Sequence, residues 1–220
     1  MPKRVMVAWS GGKDSAWALH VLRRCSDVEI AGLFTTVNED TDRVAVHEVP
    51  GALLREQARA ADAALQTIPI PRPCPNAAYE RAIAQFVAGA KSAGVTHLAF
   101  GDLFLEDIRR YRERQFAGSG VELLFPLWGL PTRALAEEMT ACGLRAWIVC
   151  VDSTRAPRDW AGKVFDPAFV AAVPEGIDPC GENGEFHTFV FEGPMLRRPV
   201  RATPGAIVGS GQQVCVDLLT

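Results

Sequence analysis

The chain has 220 residues, 48% of them hydrophobic and 22% charged, with a formal net charge of −3 and a pI near 5.8. That length can bury a real core as one domain or two small ones, and the charge excludes a global basic field for nucleic acid. No apolar run approaches the ~18 residues a membrane helix needs, the N-terminus has no signal-peptide pattern, and six cysteines without C-x-x-C or zinc spacing fit a reduced, cytoplasmic setting.

In chain order, apolar runs alternate with helical patterns, which predicts an α/β fold with a parallel sheet. Arg4–Trp9 reads as a strand and Ser15–Arg24 as its helix, joined by Ser10-Gly11-Gly12-Lys13-Asp14-Ser15. A strand, a glycine turn and a helix N-terminus together point backbone N–H groups at an anion. Ser10 and Ser15 add hydroxyls and Lys13 a point charge. Asp14 suits such a site if Mg²⁺ stands between it and phosphates, or if it caps the helix. The turn is not a Walker A loop, because Gly12-Lys13 is followed by Asp14 and no glycine stands five residues earlier. It resembles the S-G-G-x-D-S pyrophosphate loop of the N-type ATP pyrophosphatases, which implies ATP cleaved between its α- and β-phosphates.

Val28–Thr36 is apolar on both faces, as a buried parallel strand requires. Thr35 and Thr36 close it at the edge where such sheets gather ligands, near adenosine or simply as strand-end residues. Asn38 to His47 reads as a loop or hairpin, Pro50–Ala64 as a helix, Leu65–Ile70 as a strand and Asn76–Ala90 as a helix. Val95–Phe100 is a fourth strand, closed by Gly101-Asp102. Asp102 is a candidate to orient ribose, metal or a basic residue, or is an ordinary turn aspartate. Glu106–Phe116 is helical. It carries the local basic run Arg109-Arg110-Tyr111-Arg112, and Arg109, Arg112 and Glu113 at three- and four-residue spacing either grip an anion or form a solvated face.

Val121–Leu127, Leu144–Val151 and Phe186–Phe191 are further strands, and Pro131–Cys142 and Phe165–Val173 helices. Short β-prone stretches follow at Ala206–Val208 and Val214–Leu218. A boundary near Ser119 divides a nucleotide-binding unit, 1–118, from a smaller α/β substrate unit, 119–220. His20 and His97 read as structural and core histidines. Asp178-Pro179-Cys180-Gly181-Glu182-Asn183-Gly184-Glu185-Phe186-His187-Thr188 is too polar for core and too glycine-rich for a helix, so it reads as a functional loop or a solvated turn. Cys180, flanked by proline and acids, reads as a packing residue rather than a thiolate.

Over residues 4 to about 195 the chain resembles the diphthine–ammonia ligase family of ATP pyrophosphatases, of the adenine nucleotide alpha hydrolase superfamily, and a bacterial relative in particular. The resemblance rests on Ser10–Ser15; on His47-Glu48-Val49-Pro50 with Leu53–Ala58; on Gly101-Asp102, Arg109, Arg112 and Glu113 with Pro126-Leu127-Trp128; and on Gly176–Phe191, which follows the family's G-x-D-P-C-G-E-N-G-E-[FY]-H-T signature nearly residue for residue. It implies a ligase that adenylates a carboxylate, releases AMP and pyrophosphate, and forms an amide with ammonia, using ATP and Mg²⁺. The family's acceptor is diphthine on elongation factor 2. In a bacterial chain the chemistry carries over and that acceptor does not.

On this reading Ser10, Gly11, Gly12, Lys13, Asp14 and Ser15 hold the pyrophosphate end, with Asp14 toward Mg²⁺, and Thr35, Thr36, Gly101 and Asp102 lie along the nucleotide. Asp14, Glu182, Glu185 and His187 are the catalytic candidates, the last three on the acceptor side, where a carboxylate or imidazole can take the proton of ammonium. Arg109, Arg112, Glu113, Asn183, Gly184 and Thr188 are the substrate-binding candidates. The partners are a carboxylate-bearing small molecule or protein side chain and ammonia, with no membrane or nucleic acid, and a homodimer is among the open assemblies. A tRNA thiolase of the same superfamily and a nucleotide sensor without turnover are the rival readings.

Overall fold

The computed structural model describes residues 1–44, 49–209 and 211–219. The first half of the chain forms a five-stranded sheet in which every neighbouring pair is parallel. Its strands are β1 (Lys3–Ala8), β2 (Val28–Asn38), β3 (Leu65–Ile70), β4 (His97–Ala99) and β5 (Glu122–Leu124). The spatial order is β3-β2-β1-β4-β5. The chain winds outward from β1 to β3, then returns to the other side of β1, so the topological switch falls between β1 and β4. Ligands of open α/β sheets bind in the crevice beyond the carboxyl ends of such a strand pair.

Helices α1 (Lys13–Arg23), α2 (Gly51–Ala60), α3 (Asn76–Ser92) and α4 (Glu106–Phe116) connect these strands. Alternation along β1 sorts the core. Val5, Val7 and Trp9 join the apolar cluster that contains α1 and α2, while Met6 joins a second cluster with Phe34, Phe86, Phe100 and Phe116 on the α3 and α4 side.

The rest of the chain builds a second, antiparallel sheet with α5 (Thr132–Ala141) and α6 (Pro167–Ala172). Its strands are β6 (Arg145–Asp152), β7 (Val164–Phe165), β8 (Phe186–Glu192), β9 (Thr203–Ile207) and β10 (Gln213–Leu219). β8 runs along one edge of β6, and β7 and β10 share the other. The apolar cluster under α1 continues into this sheet through Ile148, Phe165, Phe186 and Phe189, so one core joins both halves.

Three sequence expectations are corrected. The helix expected to run to Ala64 stops at Ala60, and Asp62 takes a positive φ of 51° as the chain turns into β3. The run 144–151 is a strand of the antiparallel sheet, because β8 and β10 flank it; an apolar run alone does not reveal its partner. Cys150 and Cys215 are direct cross-strand neighbours and form a disulfide, against the expectation of a fully reduced chain. Val37↔Val44 and Arg43↔Pro50 bridges fall in and beside the stretch after β2 expected as a loop or a hairpin, and His47 and Glu48 lie outside the described residues. Among the described residues no helix is long and apolar enough to cross a membrane.

Candidate active site

The turn after β1 is held open by packing from several distant elements. Gly11 has φ +80°, and a Cβ there would stand 2.7 Å from Leu54 Cδ2 and 2.9 Å from Gln57 Oε1, so glycine is required twice over. Gln57, fully buried on α2, accepts from Trp9 Nε1 at 3.0 Å and donates Nε2 to the carbonyls of Gly11 at 3.0 Å and Val190 at 2.6 Å. Gly12 is the extended residue before α1 and carries no side-chain cap. The missing cap comes from β8, where Thr188 Oγ1 accepts from the Lys13 N–H at 3.1 Å. The Val190 N–H also donates to the Gly11 carbonyl, at 2.9 Å. The polar loop that ends in β8 is thereby clamped to the glycine turn.

These elements wall a cavity of about 470 Å³ at the switch point. Ser10 and Ser15 face each other with hydroxyl oxygens 3.2 Å apart, and Ser10 Oγ accepts from the Gly12 N–H at 3.2 Å. Lys13 is the buried cation. Its Nζ donates to both carboxylate oxygens of Asp14, at 2.9 and 2.8 Å, and to the Cys180 carbonyl. Burial pulls its pKa down, but Asp14, Cys180 and Glu182 outweigh that and hold it raised, so it stays charged. Burial holds the Asp14 carboxyl above its usual range despite Lys13. Its side chain is 26% exposed at the cavity wall against 3% for Lys13, so the carboxylate and not the ammonium is open to an incoming cation.

On the opposite wall Glu182 accepts from the Leu103 N–H at 2.8 Å. Burial, with Asp14 and Asp102 nearby, pushes its pKa up to about 7. Burial and the Lys13 charge push His187 down to about 4, so the imidazole is neutral at physiological pH. Burial also raises the Cys180 thiol far out of the thiolate range, and its Sγ donates to the Thr132 carbonyl at 3.4 Å. Gly101 meets the turn edge-on: a Cβ there would stand 2.8 Å from the backbone carbonyl of Asp14. Asp102 accepts from Arg112 through bonds of 2.6 and 3.0 Å.

The cavity thus brings together Ser10, Gly12, Lys13, Asp14, Ser15, Thr35, Thr36, Gly101, Asp102, Arg112, Glu182, His187 and Thr188. Gly11 sits beneath it. Arg109 and Glu113 pair with each other at 2.9 Å on the outer side of α4, where the Arg109 guanidinium lies 4.9 Å from the Phe125 ring and 4.7 Å from that of Trp128. Glu185 is buried behind the loop, its Oε1 accepting from Asn183 Nδ2 at 3.1 Å and from the Asp178 N–H at 3.3 Å. Asn183 gives its carbonyl to Arg155, and Gly184 faces open space. His20 lies tilted against Trp17, with ring centroids 4.6 Å apart, and His97 is buried in β4.

No sequence motif points to Gln57 or to the aromatic wall of Phe34, Tyr79, Phe100 and Phe116. A signal for Gln57 did exist, since it falls on the apolar stripe Leu53, Leu54 and Ala58, where a polar residue needs a buried partner. The aromatic wall carries no such signal, because its members also read as core.

Family models describe both halves of the chain. The diphthamide synthase N-terminal domain matches residues 3–123 and the diphthamide synthase C-terminal domain matches residues 131–208. No curated protein matches the chain. The two matches follow one another in order and span nearly its whole length, and the chain belongs to the diphthamide synthase family.

Proposed function

We propose that this protein is an ATP-dependent carboxylate–ammonia ligase that releases AMP and pyrophosphate. The observation that carries the reading is the clamp between the glycine turn and the polar loop, Lys13 N–H to Thr188 Oγ1 at 3.1 Å. It sets a phosphate-type turn and a second polar surface on one cavity, as the joining of two substrates requires. The belonging to the diphthamide synthase family agrees with it.

A carboxylate is a poor electrophile because oxide would have to leave. In the proposed reaction a carboxylate oxygen bonds to the α-phosphorus of ATP, the bond to the β-phosphate oxygen breaks, and pyrophosphate departs. The two serine hydroxyls and the N-terminus of α1 meet the growing charge on that leaving group, and the buried Lys13 ammonium, held by Asp14 and the Cys180 carbonyl, adds its field at a distance. Asp14 would hold Mg²⁺, which takes one or two carboxylates together with substrate phosphates. Its partly open carboxylate fits that demand. The ion would neutralise phosphate charge.

Ammonia then bonds to the acyl carbon, AMP leaves, and a proton must go. Glu182, with a pKa of about 7, is matched to take it at neutral pH. His187 is neutral there and offers a hydrogen bond rather than a charge. A thiolase would need a reactive cysteine at the cleft, and the buried Cys180 thiol opposes that.

The test is product analysis. ATP, ammonium and a panel of carboxylates should yield AMP and pyrophosphate by chromatography, and labelled pyrophosphate should exchange into ATP. ADP as the sole nucleotide product overturns the mechanism, and absence of both turnover and exchange favours the sensor.

A further inference from the structure

We propose that Cys150 and Cys215 are a reversible thiol–disulfide site, opened by a dithiol, that clasps the β9–β10 hairpin to two walls of the cleft and so sets how firmly the cleft holds its ligand. That ligand is the nucleotide of the reading above, on which the affinity part of the proposal rests. β10 joins β6 through three residue pairs, Gln213↔Asp152, Val214↔Val151 and Cys215↔Cys150. The disulfide lies on the last of them. Along its other edge β6 sets Cys150 opposite His187 of β8, and His187 lines the cleft. Side chains directly opposite on neighbouring strands share a face, so Cys215, Cys150 and His187 form one row across β10, β6 and β8.

The second wall is reached along β10. Burial alternates there, with Val214, Val216 and Leu218 buried and with Cys215 and Asp217 half-buried on the opposite face. Two residues beyond the disulfide, Asp217 Oδ1 accepts from both terminal nitrogens of Arg43 at 3.3 Å. Arg43 belongs to the segment that turns back on β2. Its carbonyl accepts from the Asn38 N–H at 2.8 Å, and its neighbour Val44 bridges Val37. Val44 lines the cleft with Thr35 and Thr36. The disulfide therefore ties β10 to the His187 wall directly and supports its hold on the Val44 wall through Asp217.

The fold accommodates both redox states. Cys215 is half-buried and Cys150 is buried, so an incoming thiolate meets the Cys215 sulfur first. It bonds to that sulfur, the S–S bond breaks, and Cys150 is released as a thiolate that takes up a proton. The second thiolate of the reductant then displaces Cys215, which is protonated in turn, and the dithiol leaves oxidised as an intramolecular disulfide. The freed Cys150 thiol has an acceptor in place, Gln213 Oε1 at 3.2 Å from its sulfur. The ladder between β6 and β10, and the bond from Trp147 Nε1 to the Ala202 carbonyl at 2.8 Å, do not need the S–S bond. The reduced hairpin thus stays docked but loses a constraint that spans 65 residues.

Alkylation and mass spectrometry of the full chain should find four free cysteines in the air-oxidised protein and six after treatment with a dithiol. Amide hydrogen exchange then compares the two states. Reduction should speed exchange about 10-fold in β10 and at Asn38, Asp42 and Val44 while β1 and α1 stay protected. Calorimetry should show α,β-methylene ATP bound about 10-fold more weakly by the reduced protein, with recovery on reoxidation. Cys215→Ser should match the reduced protein and ignore the dithiol. Asp217→Asn, with the disulfide intact, should release Asn38, Asp42 and Val44 but not β10. Six free cysteines before reduction, faster exchange confined to β10, loss of protection in β1 and α1, or equal nucleotide affinity in the two states overturns the proposal. So does a Cys215→Ser or Asp217→Asn protein that exchanges like the oxidised wild type. A protein that binds the analogue in neither state overturns the nucleotide reading and the affinity part with it, and the exchange comparison then decides the clasp.

Discussion

Gln57 holds the Gly11 carbonyl at 3.0 Å from a helix 46 residues further along the chain. The same amide also binds Trp9 and Val190, so one fully buried side chain ties β1, the glycine turn, α2 and β8 together. Gln57→Leu strands the Trp9 N–H and removes a donor from two carbonyls. The expected destabilisation is about 2–4 kcal/mol, from buried polar groups left unpaired. Thermal unfolding measures it, and nucleotide affinity should fall with it because the turn loses its support. A melting temperature within a degree of wild type rejects the clamp.

Gly101 gives a steric prediction. A Cβ at this position would lie 2.8 Å from the Asp14 carbonyl and 2.9 Å from the Ser15 nitrogen, both backbone atoms of the first turn of α1. Gly101→Ala should displace that turn by a few tenths of an ångström to about 1 Å. Misplacement of that order can cost about 10²-fold in rate. Steady-state kinetics should show a lowered kcat in a protein that still unfolds cooperatively.

Lys13 and Asp14 should be coupled. Asp14→Asn leaves the ammonium buried with its carboxylate partner gone, which costs about 3–5 kcal/mol for a fully buried pair and less here, since Asp14 is partly open. The double variant Lys13→Met/Asp14→Asn should be more stable than Asp14→Asn alone. Denaturant unfolding of the full cycle reads this coupling. Separately, Asp14→Asn should lower turnover and weaken its dependence on Mg²⁺, and an unchanged magnesium titration contradicts the metal role.

Glu182 should set the pH response. Turnover should rise as pH climbs through about 7, where the carboxyl ionises, and Glu182→Gln should lose that limb along with about 10²–10⁴-fold in rate. Stability runs the other way. The folded-state pKa is raised, so the folded protein binds the extra proton between the ordinary value of 4.5 and about 7. The stabilisation is complete below the lower value and is lost as pH rises through the upper one. Glu182→Gln should therefore gain ~1–3 kcal/mol over wild type at pH 8 relative to pH 5, read as the difference in melting temperature at the two pH values.

Much of the fold is legible locally. The β-strand Leu65–Ile70 and the helix Glu106–Phe116 have the bounds their residue patterns indicate. Period-two and helical patterns are produced by a residue's near neighbours, so a short window suffices. The glycine turn is legible for the same reason, since strand, turn and helix N-terminus lie within a few residues. Glu185 shows where this ends. Its place in a dense acidic loop suggests a side chain facing substrate, but the loop turns at Gly181 and Gly184, both with positive φ, and buries it against Asn183 and the Asp178 backbone.

By itself the sequence determined the alternation of strands and helices, the glycine turn after the first strand, and a second polar loop far along the chain. Only the tertiary structure decided that Thr188 caps the helix starting at Lys13, that Gln57 braces Gly11, that Arg112 is occupied by Asp102, and that Glu182 and His187 reach the cleft while Glu185 does not. The reason is physical. Periodicity and turn chemistry report interactions over about one to four residues, whereas capping, bracing and burial here join groups up to 175 residues apart, and those pairings exist only once the two sheets have packed on a common core.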